Sequence, residues 1–279
     1  MDSNKQPQQT IKFLGTGDAF SEHPNNAYFR TADGTLVFID MDTRNFTRAK
    51  QLITETSPRN ICVLVTHMHN DHVSGIPTLA EWLYYQHWHP YMDSDSRNKG
   101  KKLHVCAPAM LLHNLNDELY RNRLINENMV AYNCVDVISR DADGEDVSIE
   151  RKGKYMTVRA IPTVHVGGYF HDTCFGYYIE LDGGSIVSKR IVYTGDTADL
   201  APYAWIPCDE LYCEISAAQG DWTPHLSWND NKEKLFSMTD GKDIYLMHMD
   251  AWTRTCVRKE AEEHGIHFAA ETDFGSTAE

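Results

Sequence analysis

Residues 66–72 read Thr-His-Met-His-Asn-Asp-His, which places His67, His69, Asp71 and His72 within six consecutive positions. Three imidazoles and a carboxylate so close together are costly to bury unpaired, and borderline divalent metals take N and O ligands of this kind. A chain carrying this cluster needs a rigid scaffold to hold the stretch and further donors arriving from elsewhere in the sequence. Fourteen histidines in 279 residues supply candidates, although the count alone proves little. Taken singly, His23, His87, His89, His104, His113, His171, His264 and His267 read as surface or hydrogen-bonded core residues.

Short runs rich in branched and aromatic residues recur and read as strands: TIKFLGTG, TLVFIDM, NICVLVT, LHVCAP, MVAYNCVDVI, YMTVRAIP, CFGYYIEL, RIVYTGD, ELYCEI and DIYLMHM. Between them, residues 44–56, 75–86, 109–122, 228–238 and 254–264 read as helices. Early strands follow one another through short turns and later ones alternate with helices, which predicts an α/β architecture of two packed mixed β-sheets flanked by helices. No repeat, low-complexity tract or Pro/Gly/Ser linker divides residues 1–279, so one domain is expected. Several strands run straight into polar residues: CVLVT into His67, AIPTV into His165, VYTGD into Asp196 and DIYLM into His248. Strand ends let a sheet hold side chains in fixed convergence, so one shared site is expected there.

Forty acidic against 26 basic side chains leave a formal charge of −14. Such a balance repels a long polyanion, and no long nucleic-acid partner is expected. A small phosphate ester is still compatible, because a metal site is a compact positive charge whatever the surface carries. No apolar run approaches twenty residues, and the start MDSNKQPQQT lacks a basic-then-apolar leader, so the chain reads as cytoplasmic with no membrane span. Seven cysteines, at 62, 106, 134, 174, 208, 213 and 256, are odd in number, dispersed and without a C-x-x-C pair. They read as reduced core thiols rather than metal ligands.

The loop THMHNDH resembles the signature of the metallo-β-lactamase superfamily, and the likeness extends over most of the chain. That resemblance implies an αββα sandwich. Position by position it also implies one divalent metal on His67, His69 and His165, a second on Asp71, His72 and His248, and Asp196 of YTGDT bridging the two. Ligand softness favours Zn2+ for such sets, while Mn2+ or iron suits the same ligands.

Lactamases of the best-known type carry a cysteine in the place of Asp196, and flavo-diiron proteins carry a glutamate in the place of His69; neither matches here. The start IKFLGTGDAF, followed by HPNNAYF, resembles the first strand and turn of the RNase Z branch of phosphodiesterases, with glycines suited to a tight turn. In that branch a glutamate after the bridging aspartate orients a histidine of an H-x-S/T segment, which protonates the leaving oxygen. ELYCEIS supplies Glu214 and TPHLSW supplies His225. An alkoxide leaves phosphorus poorly unless it is protonated or metal-bound, which gives the pair a chemical purpose. By itself His225 also reads as a cap or surface residue before the helix at 228. Asp71 is implied in a second role, as a base orienting the attacking water.

Transfer-RNA-processing RNase Z carries an RNA-binding arm between the equivalents of His165 and Asp196, whereas here 30 residues stand there, enough for two strands and a turn. The missing arm and the negative charge point to a small phosphodiester. The outline resembles armless cyclic-nucleotide phosphodiesterases, among them the phage anti-Pycsar enzymes that destroy cyclic pyrimidine mononucleotides. The activity this implies is hydrolysis of a cyclic mononucleotide (cCMP/cUMP or cAMP/cGMP), with two metals activating water and a histidine as general acid. Three alternatives stay open: RNA 3′-end processing, a hydrolase of the same fold acting on a thioester, lactone or sulfate ester, and a non-catalytic nucleotide-binding sponge. For the base pocket, GGYFHD places Tyr169, Phe170 and His171 just after His165, either as a flap that stacks on a base or as an ordinary hairpin tip. EWLYYQHWHPYM, residues 81–92, reads as a lid, a subunit contact or helix-end core packing. A homodimer is implied by the resemblance alone.

Overall fold

The computed structural model describes residues 9–88, 100–118, 125–138, 155–165, 174–182, 188–218 and 224–275. Among them the chain forms two six-stranded sheets. The first contains β1 (Lys12–Gly15), β2 (Asn26–Arg30), β3 (Leu36–Ile39), β4 (Ile61–Leu64), β5 (Leu103–Ala107) and β6 (Val130–Cys134), in that spatial order. Pairing is antiparallel from β1 to β3 and parallel from β3 to β6. The second contains β7 (Met156–Pro162), β8 (Phe175–Asp182), β9 (Ser188–Tyr193), β10 (Glu210–Glu214), β11 (Asp243–Met247) and β12 (His267–Phe268), again as neighbours in sequence order. Here β7, β8 and β9 pair antiparallel, and β9 to β12 run parallel.

Parallel neighbours need a crossover, and the helices supply it. In the first sheet these are α1 (Phe46–Thr56) after β3, α2 (Asn70–Val73) and α3 (Gly75–Trp82) after β4, and α4 (Ala109–Asn116) after β5. In the second they are α5 (Ala201–Ala204), α6 (Trp228–Ser237) and α7 (Ala251–Glu263). Helix α1 buries Ala49, Leu52 and Ile53, the i, i+3, i+4 spacing of one helical face.

The apolar runs of the second sheet are buried on both sides. Ile191, Tyr193, Tyr212, Tyr245 and Met247 join the core shared with the first sheet, including Phe13, Phe38 and Val63. Their alternates Val192, Leu211, Cys213, Ile244 and Leu246 pack under Leu235, Val257 and Ala261 of α6 and α7. Strand alternation thus divides one continuous hydrophobic run between two layers. The buried phenols find partners: Tyr212 Oη donates to Glu210 at 2.8 Å and accepts from Ile11 N–H at 3.0 Å, while Tyr193 Oη accepts from Asn25 at 2.7 Å.

The expected α/β arrangement of two mixed sheets flanked by helices is therefore present. Several boundaries differ. NAYFR forms β2, and His267–Phe268 forms a further short strand, neither read as a strand from the sequence. MVAYNCVDVI stops being a strand at Cys134, after which Val137 makes an isolated bridge to Ala160. Helix α7 begins three residues before 254 because the Asp250 side chain caps it by accepting from Thr253 N–H. The helix expected over 109–122 is present as α4 to Asn116, and residues 119–124 lie outside the described residues. Past Trp82 the helix passes into a π-helical turn, Leu83–His87, which buries Tyr84 and Trp88 in the core and leaves Tyr85 exposed. Helix-end core packing thus accounts for Tyr84 and Trp88 but not for the exposed Tyr85, and residues 89–92 lie outside the described residues. All seven cysteines are free, but they are not all core residues: Cys134, at the end of edge strand β6, and Cys256, on the outer face of α7, are exposed. Among the described residues no helix is long and apolar enough to cross a membrane.

Candidate metal centre

The polar residues that follow apolar runs gather at the C-terminal ends of β4, β7, β9, β10 and β11. His67 lies three residues beyond β4, His165 three beyond β7, Asp196 three beyond β9 and His248 directly after β11. His69 stands just before the first turn of α2, which carries Asp71 and His72. Ligand sites in α/β sheets form at this edge because loops leaving the carboxyl ends converge there. Two backbone details make the convergence fit. A Cβ on Gly195, at φ 60°, would come within 2.8 Å of Phe175 O and 3.2 Å of Thr66. His248 follows the inward Met247 and would point to the helical side by alternation, but its φ of 53° turns the chain and brings Nε2 back toward Asp71 and Asp196.

All seven expected ligands come together. Donor atoms of His67, His69, His165 and Asp196 lie within 4.8 Å of one another, as do those of Asp71, His72 and His248. Asp196 Oδ2 sits between the groups, 3.9 Å from His67 Nε2, 3.7 Å from His165 Nε2 and 3.5 Å from both His72 Nε2 and His248 Nε2.

The atoms themselves fit a cation. His67 Nε2, His72 Nε2 and Asp196 Oδ1 are buried without hydrogen-bond partners, an expensive arrangement unless something else binds them. His72 Nε2 does approach Asp71 Oδ2 to 3.0 Å, but without hydrogen-bond geometry. Nitrogens of His69 and His165 face each other at 3.1 Å, where two lone pairs repel unless a proton or a metal lies between them. The opposite ring nitrogens are anchored. His72 Nδ1 donates to Asp40 at 2.7 Å, His165 Nδ1 to Pro224 O at 2.8 Å, and His67 Nδ1 to Thr66 Oγ1 at 3.1 Å. Anchoring of the outer nitrogen fixes the ring and aims the free one inward, as in metal-ligating histidines generally.

Charge divides the four rings into two sets. Burial, with neighbouring imidazoles adding to it, holds the His67 and His69 pKa values below the usual range and so favours the neutral, ligating form. Burial also opposes charge on His72 and His248, yet the surrounding carboxylates outweigh it and push both imidazoles up. Asp196 stays well below the usual carboxylate range despite burial, because His248 and His72 stabilise its anion. A buried cluster of this sign draws positive charge into the centre.

Asp40 was not among the residues picked out from the sequence. It is fully buried at φ 62°, and besides His72 it accepts from Thr66 N–H and Thr66 Oγ1, each at 2.8 Å. Its signal was present: VFID is an apolar run broken by a carboxylate, the same pattern that marked Asp196.

Glu214 and His225 meet beside the cluster. Glu214, the buried last residue of β10, accepts from His225 Nδ1 at 2.6 Å through Oε2 and from Thr197 N–H through Oε1. His225 is held by the bonds Ser216 N–H to Leu226 O and Trp228 N–H to Ser216 O, and its ring lies 5.3 Å from that of His248. Burial pushes its pKa down, but the Glu214 charge and hydrogen bond more than reverse this and hold it up at about 9. Tyr169, Phe170 and His171 lie outside the described residues.

Fold and donor set together define a metallo-hydrolase of the β-lactamase fold. Residues 39–249 match the Beta-lactamase superfamily domain, and the chain belongs to that family. No curated protein matches it in sequence. Solved structures of similar fold include a diphosphatase of the PhnP family, 15% identical with a TM-score of 0.59 over 94% of each chain. Zinc-bound PqqB from Methylobacterium extorquens is 14% identical with a TM-score of 0.60, covering 94% of this chain and 97% of that one. A long-form RNase Z from yeast is 17% identical with a TM-score of 0.54, covering 88% of this chain and 39% of that one. At such identities the likeness is one of fold.

Proposed function

We propose that the chain is a metal-dependent phosphodiesterase acting on a small phosphodiester, most specifically a cyclic mononucleotide. The observation that carries this reading is the Glu214–His225 pair, 2.6 Å apart and with His225 Nδ1 4.0 Å from Asp196. Ester cleavage at phosphorus expels an alkoxide, and a histidine held in one tautomer by a buried carboxylate is equipped to protonate it. With Nδ1 engaged by Glu214, the transferable proton sits on Nε2. Names among the solved structures of similar fold, a diphosphatase and an RNase Z, support chemistry at phosphorus. The short segment between His165 and Asp196 and the charge of −14 support a small substrate over a polynucleotide.

His67, His69 and His165 would hold one divalent ion and Asp71, His72 and His248 a second, with Asp196 shared; imidazole and carboxylate donors suit zinc, and manganese takes the same set. Bound there, such ions supply Lewis acidity, which acidifies water and withdraws charge from phosphoryl oxygens. The chain's own contribution is to orient. Asp40, Pro224 and Thr66 fix ligand rings, and Glu214 fixes the proton donor.

A panel of 2′,3′- and 3′,5′-cyclic nucleotides, bis-p-nitrophenyl phosphate, a lactone and a thioester, assayed with zinc or manganese, tests the reading. Turnover confined to the phosphodiesters, and highest on a cyclic nucleotide, is the expected result. Turnover of the lactone or thioester alone would overturn it.

A further inference from the structure

A cavity of about 180 Å³ opens onto His225 and His248, between the β1–β2 connection and the N-terminal end of α7. Its outer wall is Phe20, 94% exposed, the most exposed large apolar side chain among the described residues. The backbone that carries this ring is held on a built turn. Asp18 Oδ1 accepts from Phe20 N–H at 3.2 Å and from Ser21 Oγ at 2.6 Å, and Ser21 N–H donates to Asp18 O at 3.1 Å. Gly17 lets the turn close, since a Cβ there would lie 2.3 Å from the Ser21 side chain. An exposed aromatic ring lining the same cavity as two candidate catalytic-centre histidines offers a face for a flat ring to stack on.

The polar groups of the same cavity are acceptors. Asp18 and Asp250 both line it, and each uses one oxygen locally, Asp18 on its own turn and Asp250 on the cap of α7. The second oxygen of each has no hydrogen-bond partner among the described residues. Carboxylates lining one cavity attract N–H donors and repel carbonyl oxygens. A quaternary ammonium would call for several rings around it, whereas here one ring and two acceptors suit a planar, amino-bearing group.

We propose that this cavity is the base subsite of the phosphodiesterase site and that it selects a nucleobase with an exocyclic amino group, cytosine over uracil among pyrimidines. Phe20 stacks on the ring, and the carboxylates of Asp18 and Asp250 accept from the amino edge. This rests on the phosphodiesterase reading above.

Calorimetric binding of the phosphorothioate analogues of 3′,5′-cyclic CMP and cyclic UMP to the zinc-loaded full chain tests it, alongside turnover of the base-free 1-O-methylribose 3′,5′-cyclic phosphate. The cytosine analogue is expected to bind about tenfold or more tighter, the worth of one hydrogen bond to a charged acceptor. Phe20→Ala is expected to weaken both analogues by about tenfold, the scale of a base–aromatic stack, while Tyr85→Ala, an exposed ring away from the cavity, changes neither. Asp18→Asn keeps one oxygen for the turn and replaces the other with a donor, so the preference should move toward uracil. Equal affinities for the two analogues, or a Phe20→Ala protein that binds like the parent, with base-free turnover intact, would overturn the subsite and leave the phosphodiesterase reading standing. Absence of both binding and turnover would overturn both.

Discussion

His72 donates a 2.7 Å hydrogen bond from Nδ1 to Asp40, with both side chains buried and Asp40 in the left-handed region at φ 62°. Asparagine tolerates that backbone and keeps one acceptor, so Asp40→Asn removes the negative charge behind His72 with little strain. Metal affinity, measured by competition with a chromogenic chelator, is expected to fall about 10–100-fold, the usual worth of such an outer partner.

Chelation is expected to lower the unfolding temperature, and added zinc to restore it. A bound ion would give the orphaned atoms of His67, His72 and Asp196 a partner. Mass action gives about 2.7 kcal/mol at a free metal concentration one hundred times Kd. Scanning calorimetry with and without chelator reads the shift, and elemental analysis is expected to find two ions per chain.

His225→Ala is expected to slow turnover by about 10²–10⁴-fold, the range for a general acid, while metal content stays near that of the parent. Parallel kinetics and elemental analysis separate this from a ligand role, in which both would fall together.

Glu214→Gln is expected to move the alkaline limb of the rate profile to lower pH. A general acid works while protonated, so rate declines as pH rises through its pKa. Burial alone would set that pKa low, and the Glu214 charge and hydrogen bond lift it to about 9. Removing the charge removes the lift. Rate against pH for both proteins, with metal content checked because Glu214 Oε2 is 3.6 Å from His248 Nδ1, gives the answer.

Glu260 joins α7 to α6, accepting from Lys232 Nζ at 2.6 Å and from Trp228 Nε1 at 2.8 Å. Those bonds, Lys232 first, hold its carboxyl below the usual range. A depressed folded-state pKa gives stabilisation that is fully present above the unfolded pKa, about 4.3 for glutamate, and is lost as pH falls through the folded value. The unfolding-temperature gap between the parent and Glu260→Gln is therefore expected to be open at pH 7 and to close on acidification.

Most of the centre was legible because its residues interrupt patterns. His67, His165, Asp196 and His248 each end an apolar run, and His69, Asp71 and His72 crowd one loop. Asp40 breaks a run in the same manner, but its partner His72 lies 32 residues away and only folding joins them. Glu214 and His225 carried weight through the family resemblance, since neither residue type nor spacing alone distinguishes a proton donor from a helix cap. Phe20 had no periodic signal in DAFSE; its role follows from exposure beside a cavity, which is a tertiary property. Strand β2 was hidden because NAYFR overlaps a Pro-Asn-Asn turn signal at Asn26, and the start of α7 was missed because the Asp250 cap outweighs the weak apolar pattern of its first turn.

Alternation along β10 sends Tyr212 to the inter-sheet layer and Leu211 and Cys213 to the helical side. Glu214 lies two positions beyond Tyr212 and so inherits the inward direction. One residue inserted between Tyr212 and Cys213 would turn the thiol toward His225 and drive the carboxylate into apolar packing beneath α6 and α7. A single-residue insertion at this point is thus expected to break the Glu214–His225 contact, however conservative its chemistry, because parity of the count decides which face steadies the imidazole.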